Sequence, residues 1–288
     1  MNRGKFLGNG GRQAAAGRAG GIVLFCLFFQ QCSSQVSQSG TSAAPYKQLF
    51  SIAAQAINFT TDKLGNIYLL AKGGEVVKYT PDGKEQFRYL NKTLGEATCL
   101  DATNPFHLLL FFPEYSNIVT LDRTMNLTGQ FNLLNFGLFQ VNAVGMAGDG
   151  RLWIYDEVNF RLKKIDSDGT VASEGADMSM VLGKTVKPNF LLERDQLVYL
   201  NDPGLGILVF DIFGQYQKTL PILGLASFQV FDDQLIYFTG GKLFSFHLKA
   251  LLEKPVQLPE GLEGADKVQV QKDRLYVLGR AGFRVYQF

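Results

Sequence analysis

The chain has 288 residues, 46% of them hydrophobic, and a formal net charge of +2. That is enough apolar material for a sizeable core, in one large domain or two small ones. Four of its 28 basic residues, Arg3, Lys5, Arg12 and Arg18, precede Cys32 with no acid among them, so the remainder sets 24 basic residues against 26 acidic ones. A body so near neutrality gives no electrostatic reason for a nucleic-acid partner.

The first segment reads as an export signal. A basic, Gly-rich stretch leads into the apolar run Ile22 to Phe29, "IVLFCLFF". Eight apolar residues suit a signal-peptide core and are too few to span a bilayer. Residues 1–31 are therefore expected to be a signal peptide. Cys32 follows directly, and "CSSQVSQSGTSAAP" makes 32–45 a Ser/Gln/Gly-rich tether. The arrangement resembles the acceptor cysteine of bacterial lipoproteins, with Gln31 where such motifs carry Gly, Ala or Ser. It implies lipidation of Cys32 and a membrane partner reached through that anchor. No acidic cluster follows the cysteine, so the expected address is the periplasmic leaflet of the outer membrane. With Cys26 removed and Cys32 acylated, Cys99 is the remaining cysteine of the body. Packing, not a disulfide, must then hold the fold.

From Tyr46 onward the chain is a series of strands. "YKQLFSI", Tyr46 to Ile52, alternates like an outer strand but has no unit of its own. It is followed by strands near Ala56 to Phe59, Ile67 to Leu70, Glu75 to Tyr79 and Glu85 to Tyr89, with "TPDG" as a turn. The same unit returns in "GDGRLWIYDEVNFRLKKIDSDGT", in "RDQLVYLNDPGLGILVFDIFG" and in "DDQLIYFTGGKLFSFHL". Weaker copies begin at Asn104 and Lys272. The first apolar residue of the second strand falls at Ile67, Leu108, Leu152, Leu197, Leu235 and Leu275, steps of 41, 44, 45, 38 and 40 residues. This period without a helical rhythm is that of four-stranded propeller blades. The last copy ends at its third strand. An all-β, six-bladed β-propeller of four-stranded antiparallel blades over 46–288 follows, closed by Tyr46 to Ile52 pairing with Phe283 to Phe288.

Aligning the copies places Asn58, Cys99, Ala143, Leu191, Gln229 and Gln269 at the central channel, with Asp101 and Glu193 the nearby acids. Cys99 lacks a nearby base and reads as a small buried hydrophobe. His107 and His247 fall in strands as packing or edge residues. Asp156 and Asn159 turn the chain between strands, and Trp153 is expected between neighbouring blades. No catalytic residue, metal ligand or cofactor is assigned.

The units "DKLGNIYLLAKGGEVVKYTPDG" and "GDGRLWIYDEVNFRLKKIDSDG" resemble NHL-type blades, which carry an Asp/Gly turn, an apolar strand, an Asn-containing link and a strand ending in Asp-Gly. With the leader, the whole resembles propeller lipoproteins of bacterial envelopes. Six-bladed propellers also include lactonases similar to gluconolactonase, which hold a divalent cation in the channel with carboxylates and amides. The channel positions here include no carboxylate.

In such a ring, links between second and third strands share a rim with links between blades. That rim collects Phe112, Pro113, Tyr115, Phe136, Leu138, Leu223 and Leu225. These either form an interface for an envelope protein or polymer or tuck inward over the channel. The expected function is a non-enzymatic envelope lipoprotein binding through a propeller face. A small-molecule-binding or hydrolytic, lactonase-like propeller is the alternative.

Overall fold

The computed structural model describes residues 46–262 and 264–288. The expected signal peptide, Cys32 and the tether lie outside the described residues. These residues form six four-stranded antiparallel sheets. The first strand, β1 (Lys47–Ile52), precedes blade 1, which is β2 (Ala56–Thr61), β3 (Ile67–Ala71), β4 (Val76–Tyr79) and β5 (Glu85–Tyr89). Blade 2 is β6 (Cys99–Asn104), β7 (His107–Phe112), β8 (Asn117–Asp122) and β9 (Leu127–Asn132). Blade 3 is β10 (Val144–Met146), β11 (Leu152–Asp156), β12 (Arg161–Ile165) and β13 (Val171–Glu174). Blade 4 is β14 (Phe190–Arg194), β15 (Leu197–Asp202), β16 (Gly206–Asp211) and β17 (Tyr216–Leu220). Blade 5 is β18 (Gln229–Phe231), β19 (Gln234–Thr239), β20 (Lys242–His247) and β21 (Leu252–Val256). Blade 6 is β22 (Ala265–Gln271), β23 (Arg274–Gly279) and β24 (Gly282–Gln287), and β1 is its outer strand.

The turns explain why the chain folds back where it does. Asp62 Oδ1 accepts from the amides of Leu64 (2.9 Å) and Asn66 (3.0 Å), and Asp211 Oδ1 accepts from Phe213 and Gln215, both at 2.9 Å. A carboxylate that satisfies two loop amides fixes a tight reversal. Glycine is required at two of the outer turns for a second reason. Gly83 (φ 78°) and Gly169 (φ 85°) are left-handed, and a Cβ there would stand 2.6 Å from the Phe50 ring and 2.2 Å from the Phe136 ring. Each turn receives an aromatic side chain from the blade before it, so "DG" serves packing as well as reversal.

The apolar core falls into six clusters, one between each pair of neighbouring blades. The strand "HLLLFF" shows how. Leu108, Leu110 and Phe112 pack toward blade 1, while Leu109 and Phe111 pack toward blade 3. Both faces of a blade are covered, so its middle strands read as continuous apolar runs and not as an alternation. Trp153 is fully buried in the cluster between blades 3 and 4, as expected.

Closure follows the expected pairing. β1 pairs antiparallel with β24 from Lys47 opposite Gln287 to Ile52 opposite Phe283, with an irregularity between Gln48 and Phe50. Deleting Tyr46–Ile52 should therefore lower stability by on the order of 3–6 kcal/mol, since about half a dozen ladder bonds at roughly 0.5–1 kcal/mol each are lost. Thermal unfolding should remain one transition at a lower midpoint. An unchanged melting temperature would contradict this account of the ring.

Candidate functional site

Two places in the fold could do work, the central channel and the rim of the links. The channel encloses about 440 Å³ and is lined by inner-strand residues that include all six positions expected from the sequence, Asn58, Cys99, Ala143, Leu191, Gln229 and Gln269. Most polar groups on these strands tie one blade to the next. Asp101 accepts from the Met146 amide at 2.8 Å, and Gln229 both donates to the Val270 carbonyl (3.1 Å) and accepts from its amide (2.8 Å). Glu193 accepts from the Gly148 amide at 2.9 Å and from the Trp153 indole. These contacts join inner strands where no ladder runs between sheets.

Cys99 faces the channel and is partly open to it, and its thiol donates to the Val144 carbonyl at 3.5 Å. Its position deep in the protein pushes the thiol well above its ordinary range. A protonated thiol is a poor nucleophile. His107 is exposed at the start of β7. His247 Nδ1 accepts from the amides of Lys249 and Ala250, each at 3.3 Å, as a turn residue. Asp156 is buried and accepts from the Val158 and Asn159 amides, the Asn159 side chain and Lys163 Nζ (2.9 Å), so it holds its loop. Among the described residues, no three His, Cys, Asp or Glu side chains gather as a metal site.

Sequence reasoning missed Lys267. Its Nζ donates to Asn58 Oδ1 (2.7 Å) and to the Phe59 carbonyl (2.8 Å), and sits 5.3 Å from the centre of the Phe59 ring. Both acceptors are neutral. The signal was present in "ADKVQVQ", where Lys267, Gln269 and Gln271 alternate with Val268 and Val270, the pattern of a strand with one polar side. Burial lowers this ammonium from 10.5 to about 8.

The rim divides the expected apolar residues. Phe112 (0% exposed), Leu138 (4%) and Leu225 (1%) belong to the interblade clusters and cannot meet a partner. The correction has a simple cause: both faces of a blade need covering at the height of the links, so apolar residues there continue the core. Phe136 is half-buried against Gly169, and Pro113 is partly buried. Tyr115 and Leu223 are exposed.

Other exposed apolar side chains lie on the neighbouring links of this rim. Leu134 and Phe139 lie in the link from blade 2 to blade 3, Val158 in a loop of blade 3, and Met180 and Val181 in the next link. Phe139 is 68% exposed and Met180 83%. A short helix, α1 (Met178–Leu182), fixes the last pair. Asp177 caps it by accepting from the Ser179 and Met180 amides, Gly183 ends it in the left-handed region, and Met178 is fully buried beneath. The opposite rim also exposes apolar residues, Leu64, Phe106, Phe213 and Leu251, but in separate turns of four blades. The links from blade 2 to the entrance of blade 4 thus carry six exposed apolar side chains in succession, while others, such as Ile57, Leu90 and Leu252, are exposed elsewhere.

No protein-family model matches the sequence, and no curated protein is similar to it. Solved structures share its fold. Virginiamycin B lyase from Staphylococcus aureus, in a catalytically inactive form with quinupristin, matches with a TM-score of 0.60 at 12% identity, over 84% of this chain and 98% of the lyase chain. The WD40 domain of Neurospora crassa Pan2 matches with a TM-score of 0.56 at 14% identity, over 83% of this chain and 81% of that one. The protein is a six-bladed β-propeller, and at these identities the likeness concerns fold alone.

The position of Lys267 gives a testable pH dependence. Its folded pKa lies below its unfolded value, so the unfolded chain holds more protons between about pH 8 and 10.5. Its burial therefore costs stability below pH 8, and the cost fades as pH rises to 10.5. The channel also holds Cys99, kept protonated, and Asp101, bonded to blade 3. In urea unfolding, wild type should gain stability relative to Lys267→Met between pH 7 and pH 10. A difference that does not change with pH would show that Lys267 is not buried as an ammonium.

Proposed function

We propose that the protein is a non-enzymatic module of the cell envelope, anchored by a lipid at Cys32, that binds a protein or polymer through one propeller rim. The arc of Tyr115, Leu134, Phe139, Val158, Met180 and Val181 carries this reading. Exposed apolar side chains gathered on consecutive links favour association, because covering them releases water with no polar group left unpaired. The short helix and its caps hold Met180 in place before a partner arrives, which lowers the ordering cost of binding. The NHL-like pattern of the blades and the lipoprotein-like leader support the same assignment, at the periplasmic leaflet of the outer membrane.

A hydrolytic role has less support. Asp101 and Glu193 both hold neighbouring blades together, and the Cys99 thiol is protonated.

Two measurements test the proposal. Cys32→Ala should move the protein from the membrane fraction to the soluble periplasm and remove an acyl mass from its N-terminal peptide. Unchanged fractionation with no acyl mass on the wild type would reject the anchor. Crosslinking in solubilised envelopes, read by mass spectrometry, should yield a partner for wild type that Tyr115→Ser, Phe139→Ser and Met180→Ser together abolish. The triple variant should keep the wild-type melting temperature. The same partner captured undiminished by the folded triple variant would place the interface elsewhere.

A further inference from the structure

The channel has two unlike walls. On the side of blades 6, 1 and 2 stand Lys267, Gln269, Asn58 and Cys99. Across from them, blades 4 and 5 present Phe190, Leu191, Phe228 and Phe238. Phe190 and Phe228 meet edge to face at 5.1 Å, so this wall is firm as well as apolar.

The polar wall has unmet bonding capacity at Lys267 and Gln269, and Gln271 Oε1 farther along the strand is likewise without a donor. Lys267 has three N–H donors, and its two bonds go to a neutral amide oxygen and a backbone carbonyl. Among the described residues no carboxylate lies within ion-pair distance of it, and the lowered pKa reflects that uncompensated charge. Asp101, the inner-strand acid of blade 2, is bonded to the Thr103 and Met146 amides. Gln269 lies two residues from Lys267 along β22, more than nine-tenths buried, and its Oε1 has no donor. A buried acceptor without a partner is costly unless something else fills the need. Both groups border a cavity of about 440 Å³, within the usual range for a small-molecule site.

We propose that the channel is a binding site for a small amphiphilic monocarboxylate that also carries an N–H or O–H donor, such as an N-acyl amino acid. The carboxylate takes the free donor of Lys267, and the ligand N–H or O–H bonds to Gln269 Oε1. Its apolar body lies against Phe190, Leu191 and Phe228. One ammonium with one free N–H suits a monoanion; a phosphate would need more donors than this wall supplies. Lys63 and Arg194 also line the cavity, and with Lys267 they outnumber the lining acids Asp101 and Asp266 by one, a small balance in favour of an anion. This site is separate from the rim, and either can fail without the other.

N-acetyl-L-phenylalanine serves as the probe, with its methyl ester and 3-phenylpropionate as controls that lack the charge and the N–H. Calorimetric titration of the purified protein should give saturable one-to-one binding of the acid, millimolar or tighter. The ester should bind at least about tenfold more weakly, the cost of one charged bond, and 3-phenylpropionate should fall between. Gln269→Leu should reduce the acid to the affinity of 3-phenylpropionate, and Lys267→Met should erase the preference for acid over ester. If Lys267→Met does not fold, Ser227→Trp, which fills the channel from a half-buried position on the opposite wall, decides in its place by abolishing binding. Absence of saturable binding, equal affinity for acid and ester, or binding untouched by the folded variants would overturn the proposal.

Discussion

The pairing of β1 with β24 is the constraint on which the rest of the molecule depends. A blade is covered on both faces by its neighbours, so an open row would leave the apolar sides of the first and last blades in water. The seam between blades 6 and 1 is correspondingly rich in contacts. Phe59 and Phe283 meet edge to face at 5.0 Å, Lys267 reaches Asn58 and the Phe59 carbonyl, and Gln271 donates to the Asp62 carbonyl. The Arg274 guanidinium reaches the Pro81 carbonyl in an outer turn of blade 1. Closure thus acts at the inner strands, the core and the perimeter together, which is why loss of one outer strand should be felt across the ring.

Much of this was legible in the amino-acid sequence. The blade period shows because each copy must place a turn, two fully covered strands and a second turn at the same heights. The channel positions were legible because inner strands stay in register with that period. The rim was not. Phe112, Leu138 and Leu225 sit in links on the expected side, but chain position does not say whether a link residue caps the core or faces water. That depends on neighbours some 40 residues away. Phe139 and Met180 are not legible because isolated apolar residues in loops carry no period. Lys267 alternates with Val268 as an inner-strand residue does, but a lone cation with no carboxylate beside it matches no chemical motif.

The polar inventory of the inner strands separates structure from function. Asp101, Glu193 and Gln229 are each committed to another blade, so their presence at the channel explains cohesion without chemistry. Lys267 and Gln269 differ because some of their bonding capacity is unused. A residue whose donors and acceptors are all taken is explained by the fold. One with a bond to spare at the wall of a cavity asks for a ligand.

Ring closure also governs the order of events as the protein forms. Blades 1 to 5 can assemble from short-range pairings as each length of chain becomes available, since every strand in them pairs with its neighbour in sequence. Blade 6 cannot, because its outer strand is the first one made and must wait for β24. Pairing between such distant segments carries a large loop-closure entropy and makes this step slow relative to the hairpins. Until it happens, β1 is an unpaired strand and blade 1 has one apolar face bare, a state prone to edge-to-edge association with other chains.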